Sequence, residues 1–556
     1  MDRRDFLNKS ARVLLATSTP AQALTQAPGV ARVQSNRERR NVLLIIMEQF
    51  QHDVGSYAGG PAKMPNLENF AREAVNFKTA CTTTGLCSPA RAALFTGRLG
   101  QYTSFEDNPY GWHTKTVGMD LKHTTLIEWA RKRNYFTGYF GKCHLGPDAP
   151  IRRGAMRYPV TGFERPPTPG KTEKPDFSMA KRYYEKGRSF QEKPGYYATA
   201  KGTYETSKTH EIAQAGIEFL NDAWKMDQPF FLTLGFWAVH PPYNVPKPYS
   251  EMYDWRSVKL PRNLGDTFER KPAYQTDIMW PWMDTGHMSD DDWRRSRAFY
   301  CGYVSMLDRA LGQVFDALRS NHLAENTLVV VMADHGDMNG AHHLFDKGPY
   351  CYDELMRIPL LIRWPGAPQR EIIRHVAGMD VNQTIVEWAR LQPDTPTNSR
   401  SLRPLIEHGD SGWNAPDEAF YRYEWYNGLW FGVRAIRTPE YKYCFNPSDI
   451  YDELYDLQND RGELVNLIDT TGMQLRGTAC APSGCKSSAV PQQSPQPAIQ
   501  HHLENRLLAY LESTDDALVA ERLRLHLTAT RSKSADGNYR DSSAEVLKHS
   551  AADTAI

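Results

Sequence analysis

The sequence predicts an α/β fold: a large, mostly parallel β-sheet flanked by helices on both faces, with a smaller C-terminal α+β domain containing an antiparallel sheet. Three observations carry this. Apolar runs of strand length recur between residues 40 and 410 without polar alternation, as strands buried on both faces require. Stretches of helical period lie between those runs. Beyond about residue 415 the pattern changes to short, aromatic, alternating segments separated by Gly, Pro, Asn and Asp.

Taken in order, the first 27 residues, MDRRDFLNKSARVLLATSTPAQALTQA, read as a targeting segment. Arg3-Arg4 ahead of Phe6-Leu7 and Lys9 resembles a bacterial twin-arginine export signal, and Ala21-Gln22-Ala23 offers a small-residue cleavage site. The expected location is therefore periplasmic. The alternative is a disordered basic N-terminus, since the apolar stretch is short and interrupted by Arg12. The expected strands are NVLLIIM (41–47), FTGYF (136–140), PFFLTLGFW (229–237), TLVVVMA (327–333) and IPLLIRW (358–364). The expected helices are PNLENFAREAVNF (65–77), TTLIEWARKR (124–133), THEIAQAGIEFLNDAW (209–224) and the long run 290–319. A further helix opens at CSPARAALFTGR (87–98), where Ser88 suits a cap and Pro89 the first turn. Together these predict one large α/β domain over 40–410. A C-terminal subdomain over 411–530 follows, with a Ser/Pro/Gln/Gly-rich loop insertion near 470–500 and a terminal helical stretch. Residues 531–556 form a polar tail expected to be disordered.

Charge and cysteine content narrow the function. Across 556 residues, 66 Lys+Arg face 65 Asp+Glu, a net charge of +1. No basic surplus points to nucleic acid, so any positive patch must be local. Beyond the N-terminus no apolar run approaches membrane-spanning length, and no membrane span is expected. The eight cysteines show no paired zinc-type spacing. Cys480 and Cys485, in CAPSGC, either close a small disulfide loop or stand as two thiols.

Polar clusters follow the carboxyl ends of the strands, where open α/β sheets collect ligands. Glu48-Gln49 follows the first strand, Lys142 and His144 the second, and His240 the third. DHGDMNGAHHLFDKG, with Asp334, His335, His342, His343 and Lys347, follows the fourth. Asp334 and His335, with Glu48 and Gln49, make an oxygen-rich set with one imidazole, which suits Ca²⁺ or Mg²⁺, with Mn²⁺ and Zn²⁺ as alternatives. For DHG alone, a capping Asp334 and a core His335 would be the better reading. Arg91, Lys142 and Lys347 lie on separate loops and could converge on a tetrahedral oxyanion; singly, each would be a solvated charge. His144 and His240 are candidate acids or bases. Cys87 sits at a helix N-terminus one turn from Arg91, a setting that favours negative charge. Its alternative is a small buried residue at a loop–helix junction.

CSPARAALFTGR resembles the type I sulfatase signature, C-x-P-x-R followed by T-G-R, of the alkaline-phosphatase-like superfamily. The resemblance continues through GKCHLG, AVHPPY, ADHGDMNGAHHLFDKG, MRIPLLIRWPG and ELYDLQNDRGELVNL, spanning roughly residues 40–470. It implies that Cys87 is oxidised by a formylglycine-generating enzyme to Cα-formylglycine. As a hydrate, residue 87 would attack the sulfur of a sulfate ester, with Arg91 holding that hydrate. Lys142 and Lys347 would bind sulfate oxygens, and either His240 or Lys347 would protonate the leaving group. His144 would assist collapse of the enzyme-bound sulfate. Residue 87 itself, Glu48, Gln49, Asp334 and His335 would hold one Ca²⁺, Asn108 would lie beside the site, and His342 would fit a G-x-H position. Substrates would be sulfated small molecules, saccharides or aryl sulfates.

Glu48 departs from this pattern, because the family usually carries aspartate there, and Ala90 stands where many members have serine. The rival enzyme reading is a formylglycine-dependent phosphonate monoester or phosphodiester hydrolase, which Lys142 and His144 disfavour. A noncatalytic sulfated-glycan binder rests on Glu48 alone.

Overall fold

Seven strands build the central sheet: β1 (Asn41–Met47), β2 (Val75–Phe77), β3 (Phe136–Gly141), β4 (Phe230–Phe236), β5 (Thr327–Ala333), β6 (Leu360–Arg363) and β7 (Arg370–Ile372). Their order is β7-β2-β6-β5-β1-β4-β3. The structure is a computed structural model that describes residues 39–109, 117–146, 149–157, 197–276, 285–286, 288–468 and 496–534. The N-terminal signal reading, Cys480 and Cys485 with most of the 470–500 insertion, and the tail from 535 lie outside the described residues.

β1 runs parallel to β4 on one side and β5 on the other, with Ile45 level with Leu234 and Val331. All three strands are buried throughout, which is why their sequences are apolar at every position. β6 alone runs against its neighbours β5 and β2, so the sheet is mostly parallel, as the sequence predicts. The 65–77 stretch is not one helix. It is helical over Pro65–Ala71 and then becomes β2, where Val75 pairs with Ile362. Sheet pairing and burial of Val75 and Phe77 override the helical period there.

Helices cover the sheet. Those that matter for the site are α1 (Cys87–Thr96), α2 (Lys208–Ala223) and α3 (Asp290–Ser320). α3 starts at a capping box in which Ser289 and Asp292 satisfy each other's backbone N–H. α1 is buried along all its residues and ends on Gly97 at φ 67°, the left-handed stop that glycine adopts without strain. Its cap differs from the expectation. Leu86 holds the cap position and Ser88 lies inside the helix, where its N–H donates to Asn108 Oδ1 at 3.0 Å. The Ser88 hydroxyl donates instead to the His144 carbonyl at 2.8 Å.

The C-terminal region forms an antiparallel sheet of β8 (Ala419–Tyr426), β9 (Leu429–Arg437), β10 (Tyr441–Phe445) and β11 (Glu453–Asp456), in that order. β8 and β9 join through Asn427-Gly428, at φ 50° and 83°, the two-residue turn whose twist matches the strands. The terminal helical stretch is two helices, Pro497–Ser513 and Ala517–Ser534, which cover this sheet over Ile436, Tyr443, Leu454, Leu507 and Leu523. Asp353, shortly after Lys347 in the chain, accepts from Arg437 of β9 at 2.8 Å and Lys442 of β10 at 2.6 Å. The second sheet is thereby tied to the segment that carries Lys347. Among the described residues no helix is long and apolar enough to cross a membrane.

Candidate active site

Because β1, β3, β4 and β5 run parallel, their carboxyl ends share one edge. That edge receives Glu48 and Gln49 from β1, Lys142 and His144 from β3, His240 from β4, and Asp334 and His335 from β5. α1 points its N-terminus, and so Cys87, into the same place.

Arg91 is the hub. Fully buried, it donates from Nη2 to Glu48 Oε2 at 2.6 Å, from Nε to Asp334 Oδ2 at 2.8 Å, and from Nη1 to the Lys142 carbonyl at 2.6 Å. Burial alone would lower its pKa, but Asp334 and Glu48 together hold it well above the ordinary value. The fork geometry of a guanidinium is what lets one side chain join three loops. Glu48 also accepts from Lys142 Nζ. Burial would raise its carboxyl, yet Lys142 and Arg91 hold it well below the usual range. The Lys142 ammonium lies 4.5 Å from the centre of the Trp237 ring, a cation–π contact.

Cys87 is almost wholly buried, and its thiol meets His335 Nε2 at 3.2 Å. His335 Nδ1 lies 2.8 Å from the Gly336 carbonyl, so Nδ1 carries the proton and Nε2 is bare. Desolvation, with Glu48 adding to it, pushes the thiol up to about 12. The helix terminus and Arg91 therefore do not make Cys87 a thiolate, contrary to what its sequence position suggests: burial wins.

Glu48, Cys87, Asp334 and His335 are all buried and present ligand atoms within 4.8 Å of one another. Two carboxylates and a bare imidazole nitrogen in that space fit a divalent cation: both Glu48 oxygens and Asp334 Oδ2 each retain a lone pair beside one Arg91 or Lys142 contact, while Asp334 Oδ1 accepts the Gln49 and His335 N–H groups. Glu48 thus reaches this group despite its extra methylene. Gln49 touches this group through its N–H, which donates to Asp334 Oδ1 at 3.0 Å. Its Oε1 accepts from Lys347 Nζ at 2.9 Å, and its Nε2 donates to Asp337 at 2.8 Å and Asp346 at 2.7 Å. The side chain thus bonds Lys347 and the two aspartates, and its Oε1 keeps a second lone pair that a cation could use.

Lys347 Nζ also donates to Asp346 Oδ1 at 2.9 Å and to His240 Nε2 at 3.1 Å. His240 Nδ1 faces the Pro241 carbonyl at 2.5 Å, so that nitrogen holds the proton and Nε2 accepts. Desolvation, then Lys347 and Lys142, push His240 down to about 3, and it is neutral at rest. Burial, then Asp346, raises Asp337 to about 7. His144 has a left-handed φ of 61°, and burial with Lys142 holds its imidazole well below the ordinary value.

Asn108 is brought to the site through its bond to Ser88, one residue from Cys87. His342 is not. It is fully buried with Nδ1 2.5 Å from Asp266 and Nε2 2.8 Å from Asn263, and its ring stacks on Tyr352 at 3.6 Å. Both nitrogens are spent in a separate cluster, which corrects its reading as a substrate contact. The sequence reading missed Asp337, Asp346, Trp237 and Asp107. Asp107 accepts from the Asn427 and Gly428 N–H groups at 3.1 and 2.9 Å and so pins the β8–β9 turn beside Asn108. An Asn-Gly pair between aromatic strands signals that turn; nothing local in the sequence signals its partner.

Such a site, at the strand ends of this sheet, is that of a hydrolase of charged esters. Comparison with known proteins gives the particular family: the sulfatase family model matches residues 40–391, and the model for the N-sulphoglucosamine sulphohydrolase C-terminal region matches 340–476. The chain belongs to the sulfatase family and is a sulfuric ester hydrolase. It is 28% identical over 443 residues to the uncharacterized sulfatase YidJ of Escherichia coli, covering 78% of this chain and 84% of that one. It is 25% identical over 453 residues to a choline-sulfatase of Rhizobium meliloti, covering 77% and 82%. Among solved structures, a phosphonate monoester hydrolase of Agrobacterium radiobacter shares the fold, with a TM-score of 0.62 at 23% identity, over 77% of this chain and 91% of that one.

Proposed function

We propose that this sulfatase cleaves carbohydrate or aryl sulfate monoesters with residue 87, matured from cysteine to formylglycine, as its nucleophile. One observation carries the reading: Cys87 sits at a buried helix start with its thiol against His335 and within the electrostatic reach of the Lys142 and Lys347 ammoniums that a sulfate group would meet. As the hydrate, residue 87 offers one hydroxyl to attack sulfur while the other remains. Arg91, one helical turn on, holds that hydrate. Lys142 and Lys347 face the sulfuryl oxygens, where fixed cations offset charge that develops in the transition state. The leaving-group oxygen takes its proton from the Lys347–His240 pair. His144 then accepts the proton of the remaining hydroxyl, so that the aldehyde re-forms and sulfate departs by C–O cleavage.

Glu48, Asp334, His335 and residue 87 would hold the cation, with Ca²⁺ favoured by the oxygen-rich set and Mg²⁺ or Mn²⁺ as alternatives. When bound it supplies Lewis-acid polarisation of the sulfuryl group. A formylglycine-generating enzyme is the required maturation partner. We further assign the Arg3-Arg4 segment to twin-arginine export, which carries folded proteins and suits maturation before transport. The fold shared with a phosphonate monoester hydrolase favours that activity as the second reading. Lys142 and His144 favour sulfate.

The test pairs a mass measurement with an assay. Co-expressed with the maturation enzyme, the Cys87 peptide should lose sulfur and two hydrogens and gain one oxygen, and para-nitrophenyl sulfate turnover should track that modified fraction. A fully active preparation with unmodified Cys87 would overturn the mechanism. A clear preference for a matched phenylphosphonate ester would promote the second reading.

A further inference from the structure

Two buried aspartates stand behind Lys347 with no part in the mechanism above. Gln49, itself fully buried, bridges them, its Nε2 donating to Asp337 Oδ2 at 2.8 Å and to Asp346 Oδ1 at 2.7 Å. Asp337 is fixed in turn by the Tyr243 hydroxyl at 3.1 Å and the Asn339 N–H at 2.9 Å. The Gln49 backbone cannot swing. Its N–H donates to Asp334 Oδ1 at 3.0 Å and its carbonyl accepts from the Tyr300 hydroxyl at 3.2 Å. Its φ of 53° is one that a non-glycine residue keeps only when its surroundings impose it.

The consequence falls on the ammonium. Lys347 Nζ has three N–H donors, and Gln49 Oε1 and Asp346 Oδ1, each at 2.9 Å, take two of them. With two directions fixed, tetrahedral geometry fixes the third, which points to His240 Nε2 at 3.1 Å. A lone lysine on a flexible stem has no such direction of its own. Burying two carboxylates is costly where a single acceptor would satisfy the charge. What the second one adds, through Gln49, is rigidity.

We propose that Asp346, and Asp337 acting through the Gln49 amide, are positioning residues that aim the third Lys347 N–H at the leaving-group oxygen and thereby set how far poor leaving groups are tolerated. This rests on the sulfate ester reading. As the bond from sulfur to the leaving oxygen breaks, its electron pair stays on that oxygen. The proton passes to it from Lys347 Nζ, leaving a neutral amine that regains a proton from water.

The experiment measures kcat and KM of the matured, metal-loaded enzyme on aryl sulfates from para-nitrophenyl to phenyl sulfate, for wild type, Asp346→Asn and Asp337→Asn, with thermal melting as the check on folding. General-acid assistance is worth roughly 10²–10⁴-fold, so a misaimed donor in Asp346→Asn should cost about tenfold more on phenyl sulfate than on the nitrophenyl ester. The loss should fall in kcat with KM nearly unchanged. Asp337→Asn should move the same way by less, and it carries the test alone if Asp346→Asn does not fold. Losses equal across the series in a folded variant would overturn the proposal, because a merely structural defect lowers all esters alike. If wild type cleaves no sulfate but does cleave phosphonate monoesters, the sulfate reading fails. The same comparison on aryl phenylphosphonates then decides the positioning role.

Discussion

Arg91→Met is the most demanding test of the site's architecture. Methionine keeps much of the apolar stem and removes the guanidinium, leaving Glu48 and Asp334 buried with one cationic partner fewer each and the Lys142 carbonyl with the Tyr139 hydroxyl as its remaining donor. Removing one member of a buried ion pair typically costs about 3–5 kcal/mol, because the other charge stays desolvated. Two carboxylates share this arginine, but Lys142 still neutralises Glu48, so about 3–5 kcal/mol is expected for the whole change. The shift should appear as a melting midpoint several degrees lower, measured in chelator so that no bound cation compensates. Arg91→Lys separates charge from geometry. It restores a cation but not the three-way fork, so it should recover part of the stability and little of the para-nitrophenyl sulfate turnover. If Arg91→Met melts with the wild type, the two carboxylates do not depend on this arginine and the hub is misassigned. If Arg91→Lys is fully active, the fork geometry is unnecessary.

Two more outcomes follow from the same contacts. Calcium titrated into chelator-treated protein should raise the melting midpoint, by about 2.7 kcal/mol of stabilisation at a hundredfold excess over Kd, and Asp334→Asn should weaken that response; no response to Ca²⁺, Mg²⁺ or Mn²⁺ would remove the cation from this site. His240 titrates at about 3 in the fold against 6.5 as its ordinary value, chiefly through desolvation, so the stability it contributes is complete above 6.5 and is lost as pH falls toward 3. Asp337, raised to about 7, acts in the opposite sense over much of that window, so the informative quantity is a difference. Unfolding free energies of wild type from urea titrations should fall more steeply with acidification than those of His240→Gln, by up to about 1.4 kcal/mol per pH unit. Parallel lines would show that His240 is not desolvated as described.

Much of the fold was legible because it depends on burial. β1 and β5 coincide with the runs NVLLIIM and TLVVVMA, since a strand covered on both faces must be apolar at every residue. Val75–Phe77 was not legible as a strand, because its pairing with β6 comes from nearly three hundred residues downstream. The site divides along the same line. Cys87, Arg91, Lys142, His240, Asp334 and Lys347 carry chemistry that a residue type and its place after a strand can announce. Gln49 and His342 stood in the right motifs, yet their roles depend on which way the side chain turns. Gln49 turns to Lys347, and His342 to Asp266, a residue on a distant loop. Asp107 and Asp346 could be recognised only once the β8–β9 turn and the lysine ammonium were in place beside them.

The proposed mechanism leaves two candidates for the group that delivers the proton to the leaving oxygen, and their hydrogen bonds favour one of them. His240 spends its proton on the Pro241 carbonyl through Nδ1 and presents a bare Nε2. An imidazole pushed down to about 3 by burial and two lysines does not take up a second proton near neutral pH. Lys347, by contrast, is held well above its ordinary value by Asp346 despite its burial, and it points an N–H at that same Nε2. A leaving oxygen that entered between them would meet the lysine's proton first and the imidazole's lone pair second. His240 is then better suited to hold the substrate hydroxyl or ether beside the lysine than to act as the acid. High basicity in Lys347 would make it a poor acid toward water, but an aryl or alkyl oxygen gaining negative charge as the S–O bond lengthens becomes a strong enough base to take the proton. On the proposed mechanism, transfer is then coupled to bond cleavage. An ammonium can serve such a late transfer only if it is aimed in advance, which is the role proposed for Asp346 and Gln49 through their bonds to Lys347 Nζ.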